Sequence, residues 1–302
     1  MNNWRDQLLL ILGALIWGGA FVAQSAGMDY IGPWTFLCVR SFIAFAALSA
    51  LMPFLDRIRH TGKPRTETEK KYLFKAAFCC GAVLCAASIF QQAGIQYTSV
   101  GKAGFLTTLY VILVPVLSVF LGRKIRWNVW LAVLLAMAGI YFLSLSGMEA
   151  LALGDILLLI CAFLFTGHIL TIDHFSPHTD PVRLSAWQFL VCGMISLIPM
   201  LVFERPAVNM IFQAAVPILY AGVMSSGAAY TLQIVSQKNL EPSLASILMS
   251  LESVFAALCG FIILHQVLLP RELLGCCLVF AGVLLAQLPE KKQTAEEGSL
   301  PE

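Results

Sequence analysis

The chain has 302 residues, of which 59% are hydrophobic and 12% charged, and its formal net charge at neutral pH is +2. Soluble domains carry about 25% charged residues, so this chain lacks the polar groups to cover a soluble surface, and the two soluble domains that its length alone would allow are excluded. A net charge so close to zero also gives no global attraction to nucleic acid.

A window of about 20 residues, the length needed to cross a bilayer as a helix, finds ten apolar segments. They lie at 7–27, 33–55, 72–93, 98–121, 127–146, 153–172, 182–203, 211–234, 241–264 and 271–289. No A-x-A-like cleavage site follows the first run, which is therefore expected to stay as the first membrane helix. The second opens at Pro33 and carries Arg40 about two turns from its end. It is followed by a polar link, "DRIRHTGKPRTETEKK". The third holds Lys75, Gln91 and Gln92, and the fourth, "GKAGFLTTLYVILVPVLSVFLG", holds Lys102 and Tyr110. Phe165 and His168 lie in the sixth, Gln188 in the seventh, Tyr230 and Gln233 in the eighth, and Glu252 near the middle of the ninth. Residues 290–302 read as a disordered cytoplasmic tail.

The links after the second and fourth segments carry Arg57, Arg59, Lys63, Arg65, Lys70, Lys71, Arg123, Lys124 and Arg126, whereas those after the first, third and fifth carry neither Lys nor Arg. The tail adds Lys291 and Lys292. The positive-inside bias then puts both termini in the cytoplasm, and an even number of spans agrees. All nine cysteines fall in apolar runs without CxxC or Cys/His metal spacing. They read as small apolar filler.

The two halves resemble each other in order. "LLLILGALIWGGAF" around Trp17 matches "ILLLICAFLFTGHI" around Phe165. Pro33 leads to Arg40 with the spacing by which Pro181 leads to Gln188. "VPVLSVFLG" is echoed by "LESVFAALCG", and "LLAMAGIYFL" by "LVFAGVLLAQ". These matches suggest two five-helix repeats, 7–146 and 153–289. Five is odd, so the second enters the membrane inverted. That is a plan of secondary transporters, with the substrate site between the repeats near the midplane.

"WGGAFVAQ", "YTSVGKAGFLTTLYVILVP", "GDILLLICAFLF" and "LASILMSLESVFAALCGFIIL…LPRELLGCCLVFAGVLL" resemble the first, fourth, sixth and ninth-to-tenth helices of the drug/metabolite transporter superfamily, EamA type. The resemblance covers nearly all of residues 7–289. It implies a ten-helix carrier of the cell (inner) membrane, in a family with many exporters of amino acids, metabolites or toxic compounds. The chain departs from the family pattern at Ser253, where a proline is usual, and at His265 and Gln266, where Gly-Glu often ends the ninth helix. The corresponding place in the first half carries Arg123 and Lys124 rather than an acid.

An ionisable group at the bilayer centre costs about 2.5–3.5 kcal/mol on insertion scales, so each needs a partner, water or an escape route. Glu252 is too deep to snorkel. It reads either as a packing group or as a substrate or proton site. Lys102 can snorkel, or can face the cavity and bind an anion or pair with Glu252. Arg40 and Gln188 read as structural polar groups, Arg40 through an ion pair or bonds to helix carbonyls. His168 titrates near neutral pH when unperturbed, and with Glu252 forms the candidate coupling pair. Trp17, Gln91, Lys102, Tyr110, Phe165, Tyr230 and Glu252 are the candidate substrate-binding residues. The four aromatics among them fall on helices that border the cavity in the family.

There is no P-loop, HExxH or GxSxG motif, and neither a cofactor nor a metal is implied. The expected function is secondary transport of small organic metabolites, amino acids or related amphipathic compounds, most simply outward, by alternating access and with protons as a possible partner. The alternatives are a membrane enzyme acting on lipid-linked substrates and a non-transporting partner subunit. Labelling of single-cysteine variants tests the topology. Lys63 and Glu296 positions should react from the cytoplasmic side, and Gly94 and Met148 positions from the outside. Labelling of Lys63 and Met148 from one side contradicts the inverted arrangement.

Overall fold

The computed structural model describes residues 4–59, 66–98, 100–144, 152–264 and 269–288. Lys63, Met148, His265, Gln266 and the tail from 290 lie outside these. All regular structure among the described residues is helical. In hydrocarbon no water can bond a free peptide group, and a helix satisfies its own.

The ten spans run Trp4–Gly27, Pro33–Arg59, Glu67–Ile95, Val100–Thr108 with Tyr110–Phe120, Trp127–Ser144, Leu153–Phe175, Pro181–Pro199 continuing to Glu204, Ala215–Gln237, Pro242–Met249 with Leu251–Leu264, and Pro270–Ala286. Eight contain helix long and apolar enough to cross a bilayer, and the fifth and tenth hold shorter apolar helices, 127–142 and 273–286. The protein is thus a multi-pass membrane protein. Spans two and three project further than their apolar stretches, and the polar start of span three is capped. Thr66 Oγ1 accepts from the Glu69 backbone N–H at 3.2 Å, and the Glu69 side chain accepts from the Thr66 N–H at 3.3 Å. Four spans start with proline, at Pro33, Pro181, Pro242 and Pro270. Its fixed φ and missing N–H cost nothing at the first helical position.

Spans two and seven lie antiparallel and are tied at both ends. At one end the Arg183 guanidinium makes a bidentate pair with Asp56, at 2.9 and 2.5 Å. At the other, Glu204 accepts from the backbone N–H groups of Trp34 and Thr35 and from the Thr35 hydroxyl, at 2.8, 2.7 and 2.6 Å. A carboxylate from the end of span seven therefore caps the start of span two, where the helix dipole favours negative charge. Arg123 and Asp173 pair the end of span four with the end of span six.

The packing is reciprocal. Span five lies on ten, two on seven and four on nine. One lies on eight and nine, as six lies on three and four. Exchanging each span for the one five later maps this set onto itself. Glycines show the same reciprocity at atomic scale. A Cβ on Gly139 would lie 2.5 Å from the Gly275 carbonyl oxygen and 2.7 Å from the Val279 nitrogen; one on Gly282 would lie 2.8 Å from the Ala132 oxygen and 3.2 Å from the Ala136 nitrogen. A Cβ on Gly81 would meet the Gln188 oxygen and Val191, and one on Gly222 would meet the Arg40 oxygen and Ile43. One sequence offset relates Arg40 to Gln188 and Ile43 to Val191.

Backbones in contact leave no room for a methyl group, and overpacking of this kind costs about 1–3 kcal/mol. Gly139→Ala should therefore lower the unfolding temperature of the detergent-purified protein. Gly101→Ala, where nothing lies within 4 Å, should leave it unchanged or raise it. Equal stability of the two variants contradicts the tight five-to-ten contact.

Candidate functional site

A cavity opens between the spans where four and nine are interrupted. Span four breaks at Leu109 and span nine at Ser250. Hydroxyls beside the breaks bond back to their own helices: Thr108 to the Gly104 carbonyl, Ser246 to Ser243 at 2.9 Å and Ser250 to Ile247 at 2.7 Å. Such bonds compete with the helical ladder. Tightened i→i−3 bonds follow, from Ile112 to Leu109 at 3.1 Å and from Ser253 to Ser250 at 3.2 Å. Each break delivers a polar side chain to the cavity, and there the Tyr110 hydroxyl donates to Glu252 Oε1 at 2.9 Å. Span eight contributes differently. Over Tyr220–Ala229 it widens into a π-helix, a rare form that is frequent at functional sites. This stretch carries Ser225 to the lining.

Aromatic groups form one wall. The Tyr230 ring meets Trp17 edge-on, with centroids 5.0 Å apart, and is backed by Phe189 at 5.4 Å and His168 at 5.9 Å. Phe165 and Phe21 also line the cavity, and amides enter from Gln24, Gln91 and Gln233. Arg40 enters from span two, only 2% exposed. Its Nη1 donates to Gln24 Oε1 at 3.2 Å, its guanidinium lies 5.9 Å from the Phe36 ring centroid, and its Nε has no hydrogen-bond partner among the described residues. The Trp17 indole N–H is likewise without a partner.

Six of the seven residues singled out for substrate binding thus line one cavity: Trp17, Gln91, Tyr110, Phe165, Tyr230 and Glu252. The seventh, Lys102, has its backbone in the Val100–Thr108 helix, and its side chain lies outside the described residues. Glu252 accepts from the Tyr110 hydroxyl, and whether it also pairs with Lys102, one of the alternatives read from sequence, lies outside the described residues. Arg40 was expected to find a carboxylate or helix carbonyls, but it bonds a glutamine side chain and faces the cavity. His168 is fully buried behind the lining, with Nε2 3.2 Å from Gln188 Oε1. Gln188 is therefore an interhelical partner. Gln92 is another, donating to the Gln24 carbonyl at 3.3 Å.

Of the polar lining residues, the reading from sequence omits Gln24, Thr107 and Ser225, and it also omits the apolar Phe21, Ile169 and Met249. Helical spacing carried a signal for Gln24 and Thr107. Trp17, Phe21 and Gln24 fall on one face at i, i+4 and i+7, as Thr107 and Tyr110 do at i and i+3. Ser225 had no such signal, since a π-helix breaks the 3.6-residue period.

The model of the EamA-like transporter family matches this chain twice, over residues 5–145 and 152–288. An uncharacterized transporter of Archaeoglobus fulgidus is 32% identical over 92% of this chain and 84% of its own length. The uncharacterized transporter YoaV of Bacillus subtilis is 23% identical over 93% and 96%. The WAT1-related chloroplastic protein At3g02690 of Arabidopsis thaliana is 22% identical over 96% and 71%. One crystal structure of a protein superposes with a TM-score of 0.76 over 93% of this chain and 96% of that one; at 17% identity it speaks to the fold alone. Ten apolar helices around a polar cavity, and two family matches that cover nearly the whole sequence, place the chain in the EamA-like transporter family as a multi-pass membrane transporter.

Proposed function

We propose that the protein is a secondary transporter of small organic metabolites, amino acids or related amphipathic compounds, and that it moves them outward by alternating access. The observation that carries this reading is the cavity itself. Among the described residues, aromatic rings, amides, the cation Arg40 and the carboxylate Glu252 converge on it from spans one, two, three, four, six, eight and nine. Such a mixed lining suits a solute with an apolar body and polar ends. The interruptions in spans four and nine bring irregular backbone to membrane depth, and it is tolerated there where it lines a cavity.

The transport cycle follows from two five-helix repeats in inverted orientation, 7–146 and 153–289. The reciprocal span pairing supports them, as do the paired glycines. Exchange of conformation between two like units gives one state open to each side. In this reading Trp17, Gln91, Tyr110, Phe165 and Tyr230 hold the solute. Lys102 contributes from the fourth span, and Glu252 with His168 couples transport to protons, although the solute's own gradient would also suffice.

Counterflow in proteoliposomes tests the reading, with a labelled panel of amino acids, amines, carboxylates, sugars and nucleosides. The wild type should exchange a solute of the first three classes. Trp17→Ala and Tyr230→Ala should abolish that exchange, while expression and membrane insertion persist. Undiminished exchange in both variants, or none with any member of the panel in the wild type, overturns the reading.

A further inference from the structure

Matching positions in the two halves carry different groups, and the difference is informative. Arg40 and Gln188 occupy matching positions on spans two and seven. The Arg40 carbonyl faces Gly222 as the Gln188 carbonyl faces Gly81. At Gln188 a neutral amide suffices, bonded to His168. Helix packing at this position therefore does not call for a cation, yet span two supplies one.

The placement of Arg40 is costly unless something meets it. It is 2% exposed, its one described side-chain bond goes to the neutral amide of Gln24, and its Nε is unsatisfied. Among the described residues no carboxylate lies within ion-pair distance. Glu252 lines the same cavity, but its described donor is Tyr110. A buried charge left alone is strongly unfavourable, and one matched by an opposite charge with good geometry is tolerated.

We infer that Arg40 holds the carboxylate of a zwitterionic, amino-acid-type substrate, with the ammonium toward Glu252 and an apolar side chain among Trp17, Phe165 and Tyr230. This rests on the transporter reading and narrows it to one class. The guanidinium fork matches a carboxylate through paired hydrogen bonds. The faces of Trp17 and Tyr230 add attraction for an ammonium. A zwitterion brings a counter-charge to both Arg40 and Glu252. An amine or a carboxylic acid alone leaves Arg40 or Glu252 unmatched.

The test uses the full chain purified in detergent and three probes that differ by one group: phenylalanine, phenethylamine without the carboxylate, and 3-phenylpropionate without the ammonium. Binding is read by thermal shift and tryptophan fluorescence. A hydrogen-bonded charge contact is worth about tenfold or more in affinity, so phenylalanine should bind the wild type at least that much more tightly than either analogue. Arg40→Gln should bring phenylalanine to the affinity of phenethylamine and leave phenethylamine itself unchanged. Equal binding of phenylalanine and phenethylamine by the wild type overturns the assignment, and so does a folded Arg40→Gln that still prefers the carboxylate. Binding of none of the three, with counterflow of an uncharged solute, also overturns it while transport itself stands. No flux of any solute in the counterflow panel removes the transporter reading as well. Should Arg40→Gln fail to fold, the wild-type probe series alone decides.

Discussion

Every peptide group in a bilayer has to find its hydrogen-bond partner inside the protein. That constraint turns an apolar chain into ten helices and restricts where they can depart from regularity. The two short breaks, at Leu109 and Ser250, and the π stretch over Tyr220–Ala229 adjoin the cavity, whereas a second π stretch, Met200–Glu204, lies at the end of span seven away from it. Serine and threonine hydroxyls supply alternative partners beside the breaks. Among the described residues, none of spans five, seven and ten lines the cavity. Irregularity and polarity coincide because a polar hollow in the protein is where either can be accommodated.

The same economy governs the side chains. Polar groups at depth fall into ties and linings. Gln92 to the Gln24 carbonyl, Gln237 to the Ile169 carbonyl at 3.2 Å and His168 to Gln188 are ties between spans, each contributing about 0.6–2 kcal/mol in a membrane. Trp17, Arg40, Tyr110 and Glu252 face the hollow instead. Large apolar side chains on the outside, such as Phe203, Phe212 and Leu134, are exposed to the surroundings of the helices. In a membrane protein this is the lipid side.

Much of the fold was legible because bilayer thickness imposes a length that composition reveals. The ten segments emerged from hydropathy within a few residues of the helices, apart from the polar extensions of spans two and three, which no apolar window can register. The match of "LLAMAGIYFL" with "LVFAGVLLAQ" contained the reciprocal glycines Gly139 and Gly282, although letters alone did not show that each seats the other's helix. Six cavity residues were legible because large aromatics and amides at depth are few. The partner of Arg40 was not legible because sequence gives depth along a helix but not what stands opposite. The Glu204 cap was illegible for a related reason: its donors at Trp34 and Thr35 are 170 and 169 residues away in the chain. No local pattern encodes that distance.

The double tie between spans two and seven has a mechanical consequence. Two rods fastened at both ends can twist or lean as one piece but cannot part. As long as Arg183 keeps Asp56 and Glu204 keeps the start of span two, this pair holds together as one unit. Under the alternating-access cycle proposed above, movement that exposes the hollow would belong to the remaining eight spans. The guanidinium of Arg40 is mounted on this pair and would stay in place through such a cycle.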